Sequence, residues 1–174
     1  MNARSEHPVW QVYDQFRTAR LNVRYYSARA VHLRRTIQAF DMFLAICAPT
    51  SAIAGFYVWQ SEIGAPIWQF LAGLAAVIAV IRPFLHLTER LESVEQALTG
   101  YRALDSDLEQ LAVLIEQKGD YDKESHKRLQ RALKRKEAII GRLTRTEPED
   151  KKLKKECTEI VNRELPPGSF FVPE

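Results

Sequence analysis

The chain has 174 residues and a net charge of +3, and its segments of about 40 residues before and 92 after a central apolar region are each too short to bury much core alone. They are expected to pack against each other or against copies of themselves. The two cysteines, Cys47 and Cys157, exclude a disulfide framework or a zinc site, and seven glycines leave little material for ligand-cradling loops.

The N-terminal segment carries Val12, Phe16, Ala19, Val23, Tyr26, Ala30, Leu33, Ile37 and Phe40 at alternating spacings of 4 and 3, a heptad seam held for four repeats. The pattern predicts one helix from about Pro8 straight into the apolar region, with Pro8 suited to a first helical position. Val12, Phe16, Val23, Tyr26 and Leu33 are the expected seam for self-association.

Two uncharged runs follow, Met42 to Trp59 and Gly64 to Ile81, each 18 residues long. At ~1.5 Å per residue, a helix of that length nearly matches the ~30 Å hydrocarbon core of a bilayer. The spacer Gln60 to Ile63 leaves room only for a tight turn, so the expectation is an antiparallel two-span hairpin. Arg24, Arg29, Arg34 and Arg35 precede it and Arg82 and Arg90 follow, while the turn carries only Glu62. Both termini are therefore expected in the cytoplasm. Asp41 and Arg82 stand at similar depth on the two arms and are expected to form an interfacial ion pair, since ionisable groups there are costly unless paired. Small residues at Ala45, Ala48, Ala52 and Gly55, and at Ala72, Ala75, Ala76 and Ala79, offer close-packing stripes, one for the hairpin and one for other subunits. Pro49 is a candidate kink, and Thr50, Ser51 and Gln69 are too few polar groups for a selectivity filter.

Beyond the second run, Leu87, Leu91, Val94, Leu98 and Tyr101 repeat the 4 and 3 spacing. Leu104, Leu108, Leu111 and Ile115 resume it after a three-residue step. This predicts that the second span continues as a cytosolic helix over 84–118, ended by Gly119-Asp120. A third helix, Lys123 to Thr144, shows Leu129, Leu133, Ile140 and Leu143 on one face. A capping box at Thr146 to Glu149, with Pro148 in the first turn, opens a short helix to about Glu164 whose apolar face is Leu153, Cys157, Ile160 and Val161. The tail 165–174 contains three prolines and is expected to be extended, with Phe170 and Phe171 docking on the helices.

Charge is distributed in blocks. Residues 1–40 hold seven Arg against Glu6 and Asp14 (+5), residues 82–120 hold four basic and eight acidic (−4), and residues 121–156 hold thirteen basic and seven acidic (+6). An acidic helix between basic ones predicts that they pack together. The basic cluster Lys127, Arg128, Arg131, Lys134, Arg135 and Lys136 is the candidate anion-binding surface. It could meet a nucleotide signal or the anionic inner leaflet; the lack of interleaved aromatics argues against nucleic acid. His7, His32, His86 and His126 are scattered, and no catalytic motif occurs, so neither an enzyme nor a cofactor is expected.

An Arg- and Tyr-rich amphipathic helix (Arg20, Arg24, Tyr25, Tyr26, Arg29) leads into the two-span hairpin, followed by a long helix containing Tyr101 and further helices. This order of elements resembles the SLATT proteins, two-transmembrane effectors associated with bacterial nucleotide-signalling defence systems. The resemblance covers the layout of most of residues 9–118. It implies a protein that oligomerises in the bacterial inner membrane and permeabilises it when triggered, in antiviral defence. The expected class is all-α, a transmembrane hairpin continuing into a coiled-coil-like bundle. Its organisation is 1–40 amphipathic helix, 41–83 hairpin, 84–118 coiled-coil helix, 119–164 basic helices and 165–174 tail. Expected partners are copies of itself, the lipid bilayer and a nucleotide signal or signalling protein. The alternative is a non-enzymatic membrane adaptor whose cytosolic helices recruit a partner.

Overall fold

The computed structural model describes residues 7–47, 64–142 and 149–173, and these are all-α. In chain order they form α1 (Val9–Cys47), α2 (Gly64–Ile81), a 3₁₀ turn (Arg82–Leu85), α3 (Leu87–Lys118), α4 (Lys123–Arg142), α5 (Lys151–Glu164) and a second 3₁₀ turn (Pro167–Ser169). The chain divides into two compact units, one of Met1–Arg29 with Ser93–Glu174 and one of Ala30–Glu92.

The first unit is a helical bundle built on α3. Val94, Ala97, Leu98, Tyr101, Leu104, Leu108, Leu111 and Ile115 are buried along that helix, so the heptad-like spacing is used from Val94 onward, including the three-residue step, while Leu87 and Leu91 of the same expected stripe are only half-buried in the other unit. Val9, Val12, Tyr13, Phe16 and Ala19 of α1 and Leu129, Ala132 and Ile139 of α4 join the same core. Val12 and Phe16, expected to bind a second copy, are 0 % and 5 % exposed inside their own chain. Val23 and Tyr26 pack partly buried against the same cluster. The seam is thus spent on α3, because a neighbour in the same chain presents a matching stripe at no cost in association entropy.

The helix ends follow local chemistry. α1 opens with the His7 Nδ1 accepting from Val9 N at 3.2 Å. α3 stops where Gly119 takes φ +68°, its N–H donating to Ile115 O at 2.9 Å. Asp122 caps α4, its Oδ1 accepting from Ser125 N at 2.7 Å while its Oδ2 takes Lys118 Nζ at 2.9 Å. The Ser125 backbone bond and then Lys118 hold the Asp122 carboxyl below the usual range.

Several boundaries correct the sequence reading. The second apolar run does not continue unbroken into α3: Pro83, which lacks an N–H, sits in the 3₁₀ turn, and His86 closes it in the left-handed region at φ 46°. α5 begins at Lys151 rather than with Pro148 in its first turn, because Asp150 is the cap, accepting from Lys152 N and Leu153 N at 3.0 Å each. The proline-rich tail makes one 3₁₀ turn. On α4 the buried face runs through Leu129, Ala132 and Ile139, with Leu133 partly buried, whereas Ile140 is 50 % exposed. Leu143, the capping-box residues Thr146 to Pro148, Pro49, Thr50, Ser51 and the Gln60 to Ile63 turn lie outside the described residues.

In the second unit, α2 is uncharged over its 18 residues. Its Phe70, Leu74, Val77, Val80 and Ile81, with Phe84 beyond, all face outward. Among the described residues no helix is long and apolar enough to cross a membrane. Residues 48–63, with most of the first apolar run, and the side chains of Ile67, Trp68, Gln69 and Ala72 lie outside that set.

The rotated face of α4 depends on Gly100, where a Cβ would lie 2.8 Å from Ile139 Cγ1. We expect Gly100→Val to destabilise the bundle by about 1–3 kcal/mol through overpacking. Combining it with Ile139→Ala should recover part of that loss in denaturant titrations; a double variant less stable than both singles would disprove the contact.

Candidate functional site

Arg17, Arg20 and Arg24 recur on α1 at helical spacing and divide between two neighbours. Arg20 Nε donates to Asp105 Oδ1 at 2.9 Å and its Nη2 lies 3.2 Å from Glu109 Oε1, both on α3. Arg17 donates to Asn162 Oδ1 at 2.6 Å, and Arg24 Nε to Glu164 Oε2 at 3.1 Å, both on α5. On the other side of α3, Arg135 of α4 pairs with Asp107. The acidic helix is therefore bound by basic helices on two sides, and Arg24, counted above toward topology, is committed to an ion pair. Burial pushes the Asp105 carboxyl upward despite Arg20, while Arg20, which burial alone would lower, is raised by Asp105 and Glu109. The two shifts pull against each other; the short Arg20 bonds favour the charged pair, with part of its Coulomb gain spent on desolvation.

Tyrosines reinforce these helix contacts. Tyr26 stacks on Tyr101 with ring centroids 5.5 Å apart, and burial followed by the Tyr26 neighbour pushes the Tyr101 hydroxyl up to about 12. Tyr25 accepts from Asp150 N at 3.1 Å, tying the start of α5 to α1. Tyr26 and Tyr101 were both expected as seam positions; the Tyr25 contact to α5 was not assigned from sequence.

The basic cluster on α4 separates by face. Arg128 pairs with Glu124 at 2.8 Å, Arg135 with Asp107, and Lys136 donates to Gln15 Oε1 at 2.8 Å, so Lys136 belongs to the bundle contact with α1. Lys127 and Lys134 are exposed and lie away from the groove that Arg128, Arg131 and Arg135 line with Asp107, Gln110 and Ala132. That groove has a volume of about 230 Å³.

In the second unit Asp41 of α1 and Arg82 of the 3₁₀ turn meet, Oδ1 to Nη2 at 2.5 Å, with side chains 49 % and 44 % exposed. A half-exposed pair in water contributes about 0–1 kcal/mol. Beside it, Ile37, Phe40, Ala79, Arg82, His86 and Glu89 line a cavity of about 430 Å³, and His86 Nδ1 lies 3.2 Å from Glu89 Oε2. Leu33, the last of the expected seam, is half-buried in this unit. Of the small-residue stripes, Ala75 is half-buried and Ala76 and Ala79 are exposed; Ala48, Ala52 and Gly55 lie outside the described residues. Cys157 is a buried free thiol, raised by desolvation.

The two phenylalanines of the tail are placed differently. Phe170 stacks on Tyr13 at 4.2 Å and meets Trp10 edge-on at 6.5 Å, and Tyr13 Oη donates to Phe171 O at 2.6 Å. Val172 packs on the core and Pro173 is buried. The Phe171 side chain, expected to dock, is 37 % exposed, because the extended backbone that turns Phe170 and Val172 inward turns the residue between them outward. No protein-family model, characterised protein or solved structure matches this chain.

The tail contacts fasten the chain end to the first turns of α1 through Trp10 and Tyr13. Deleting residues 166–174 should lower the melting temperature, and Phe170→Ala should cost about 1–3 kcal/mol against less than about 0.5 for Phe171→Ala. Equal effects of the two alanines in thermal melts would contradict this docking.

Proposed function

We propose that the chain is a bilayer-inserted, self-associating effector that permeabilises the membrane carrying it, with both termini on the cytoplasmic side. The observation that carries the reading is the outward apolar surface of the second unit, where Phe70, Val77, Val80 and Phe84 are 71 %, 53 %, 64 % and 75 % exposed. Each such side chain left in water forgoes about 1.5–3 kcal/mol, so that surface calls for lipid or other apolar chains. The α2 segment, at ~1.5 Å per residue, is about 27 Å long and uncharged throughout, close to the hydrocarbon thickness. With the uncharged run before it, the sequence holds enough apolar length for two crossings.

The Asp41–Arg82 pair fits the same reading. In water it would add little, but near the hydrocarbon edge loss of one partner strands a charge, so pairing there has real weight. Exposed Ala76 and Ala79 leave a small-residue face for close approach of another helix. The absence of a catalytic motif from the sequence and the resemblance to two-span effectors favour permeabilisation over chemistry. An adaptor is the second reading, favoured by the separately cored first unit, which could recruit a partner without any pore.

Three measurements test this. A cysteine placed at Glu62 should be labelled from outside intact cells and one at Ser5 or Ser169 should not; labelling at either of the latter positions defeats the topology. Asp41→Arg and Arg82→Asp should each lower abundance in membrane fractions, while the double swap should recover most of it; a swap no better than the singles would deny the pair any role in insertion. Induced expression should collapse a membrane-potential dye signal, and full potential at high expression would favour the adaptor.

A further inference from the structure

We propose that the groove between α3 and α4 lined by Arg128, Arg131 and Arg135 binds a run of linked phosphoryl groups. The three arginines stand at i, i+3 and i+7 on α4, which places their guanidinium groups along one edge of the helix over about 10 Å. That length suits several linked phosphates better than one small anion. Across the groove, α3 contributes Asp107 and the Gln110 amide, and Glu124 pairs with Arg128 from α4 itself, so three guanidiniums meet two carboxylates and one positive charge is left over. Ala132 between the arginines is 4 % exposed, and its small side chain keeps the floor open.

The groove is partly preorganised. Arg128 is held by Glu124 at 2.8 Å and Arg135 by Asp107, which fixes the two outer guanidiniums and reduces the entropy lost on binding. Among the described residues Arg131, the middle one, takes part in no ion pair or hydrogen bond, so its donors are available to a ligand. Planar guanidinium matches phosphate bidentately, whereas lysine offers a point charge. The exposed Lys127 and Lys134 lie outside the groove and add only diffuse potential. This recognition is independent of whether the second unit crosses a bilayer.

The test uses the full chain in uncharged detergent at low ionic strength, titrated with tripolyphosphate and orthophosphate by calorimetry. Tripolyphosphate should bind saturably and at least tenfold more tightly than orthophosphate. Arg131→Gln, at an exposed position, should weaken it at least tenfold with an unchanged melting temperature, and Gln110→Glu, which places a second carboxylate opposite, should do likewise. Lys127→Gln and Lys134→Gln should change affinity less than twofold. A nucleoside triphosphate tested beside tripolyphosphate separates the sources: equal affinity means that the phosphate chain alone is read, and tighter binding means that the carrier is read as well. Absence of saturable binding, or equal losses in the lysine and arginine variants, overturns the proposal.

Discussion

From Val94 to Ile115, α3 buries a side chain at nearly every turn; α1 and α4 pack on that stripe, and α5 is tied to α1 through Arg17, Arg24 and Tyr25. α1 brings Val12, Phe16 and Ala19 to one side and α4 brings Leu129, Ala132 and Ile139 to another. Leu108, Leu111, Ile115 and Leu129 are the deepest of these, and truncating any of them to alanine belongs to the class of change that costs about 2–5 kcal/mol. A unit of this size cannot tolerate many such losses, since native stability is only about 5–15 kcal/mol.

Around that apolar seam the charges act as a registration device. The carboxylates of α3 point outward at its flanks, where Arg20 meets Asp105 and Glu109 and Arg135 meets Asp107. Individually these partly exposed pairs contribute little. Their value is directional: like-charged helices in the same places would repel, so the basic, acidic, basic order favours α3 between α1 and α4 over other arrangements. The same arrangement leaves Arg128 and Arg131 beside Arg135 along one groove.

The smaller unit has the opposite character. Among its described residues Phe70, Val77, Val80 and Phe84 face outward, and two ion pairs stand near the Pro83 break, where Arg82 meets Asp41 and His86 meets Glu89. A helix with this distribution satisfies its own backbone but not its side chains, which is the arrangement that a surrounding apolar medium favours. One chain thus combines a unit with its own apolar core and a unit that presents exposed apolar side chains.

Periodicity and charge order were legible in the sequence, because the heptad spacing of α1 and α3, the stop at Gly119 and the basic, acidic, basic blocks are local or repetitive signals. The meeting of Asp41 with Arg82 could be anticipated too, since symmetric distance from a short turn is a counting argument. Packing of α1 on α3 was expected from their matching stripes and opposite charge; only the tertiary structure decided that Val12 and Phe16 are buried by that packing, because the same 4 and 3 spacing serves an intramolecular neighbour and a second copy equally well. It also chose between two adjacent faces of α4, a choice made by the missing Cβ at Gly100, which admits Ile139 and turns Ile140 to solvent. The cap at Asp150 in place of the box at Thr146, and the inward Phe170 beside an outward Phe171, were settled the same way: several registers satisfied the local rules, and contacts between residues more than 100 positions apart selected one.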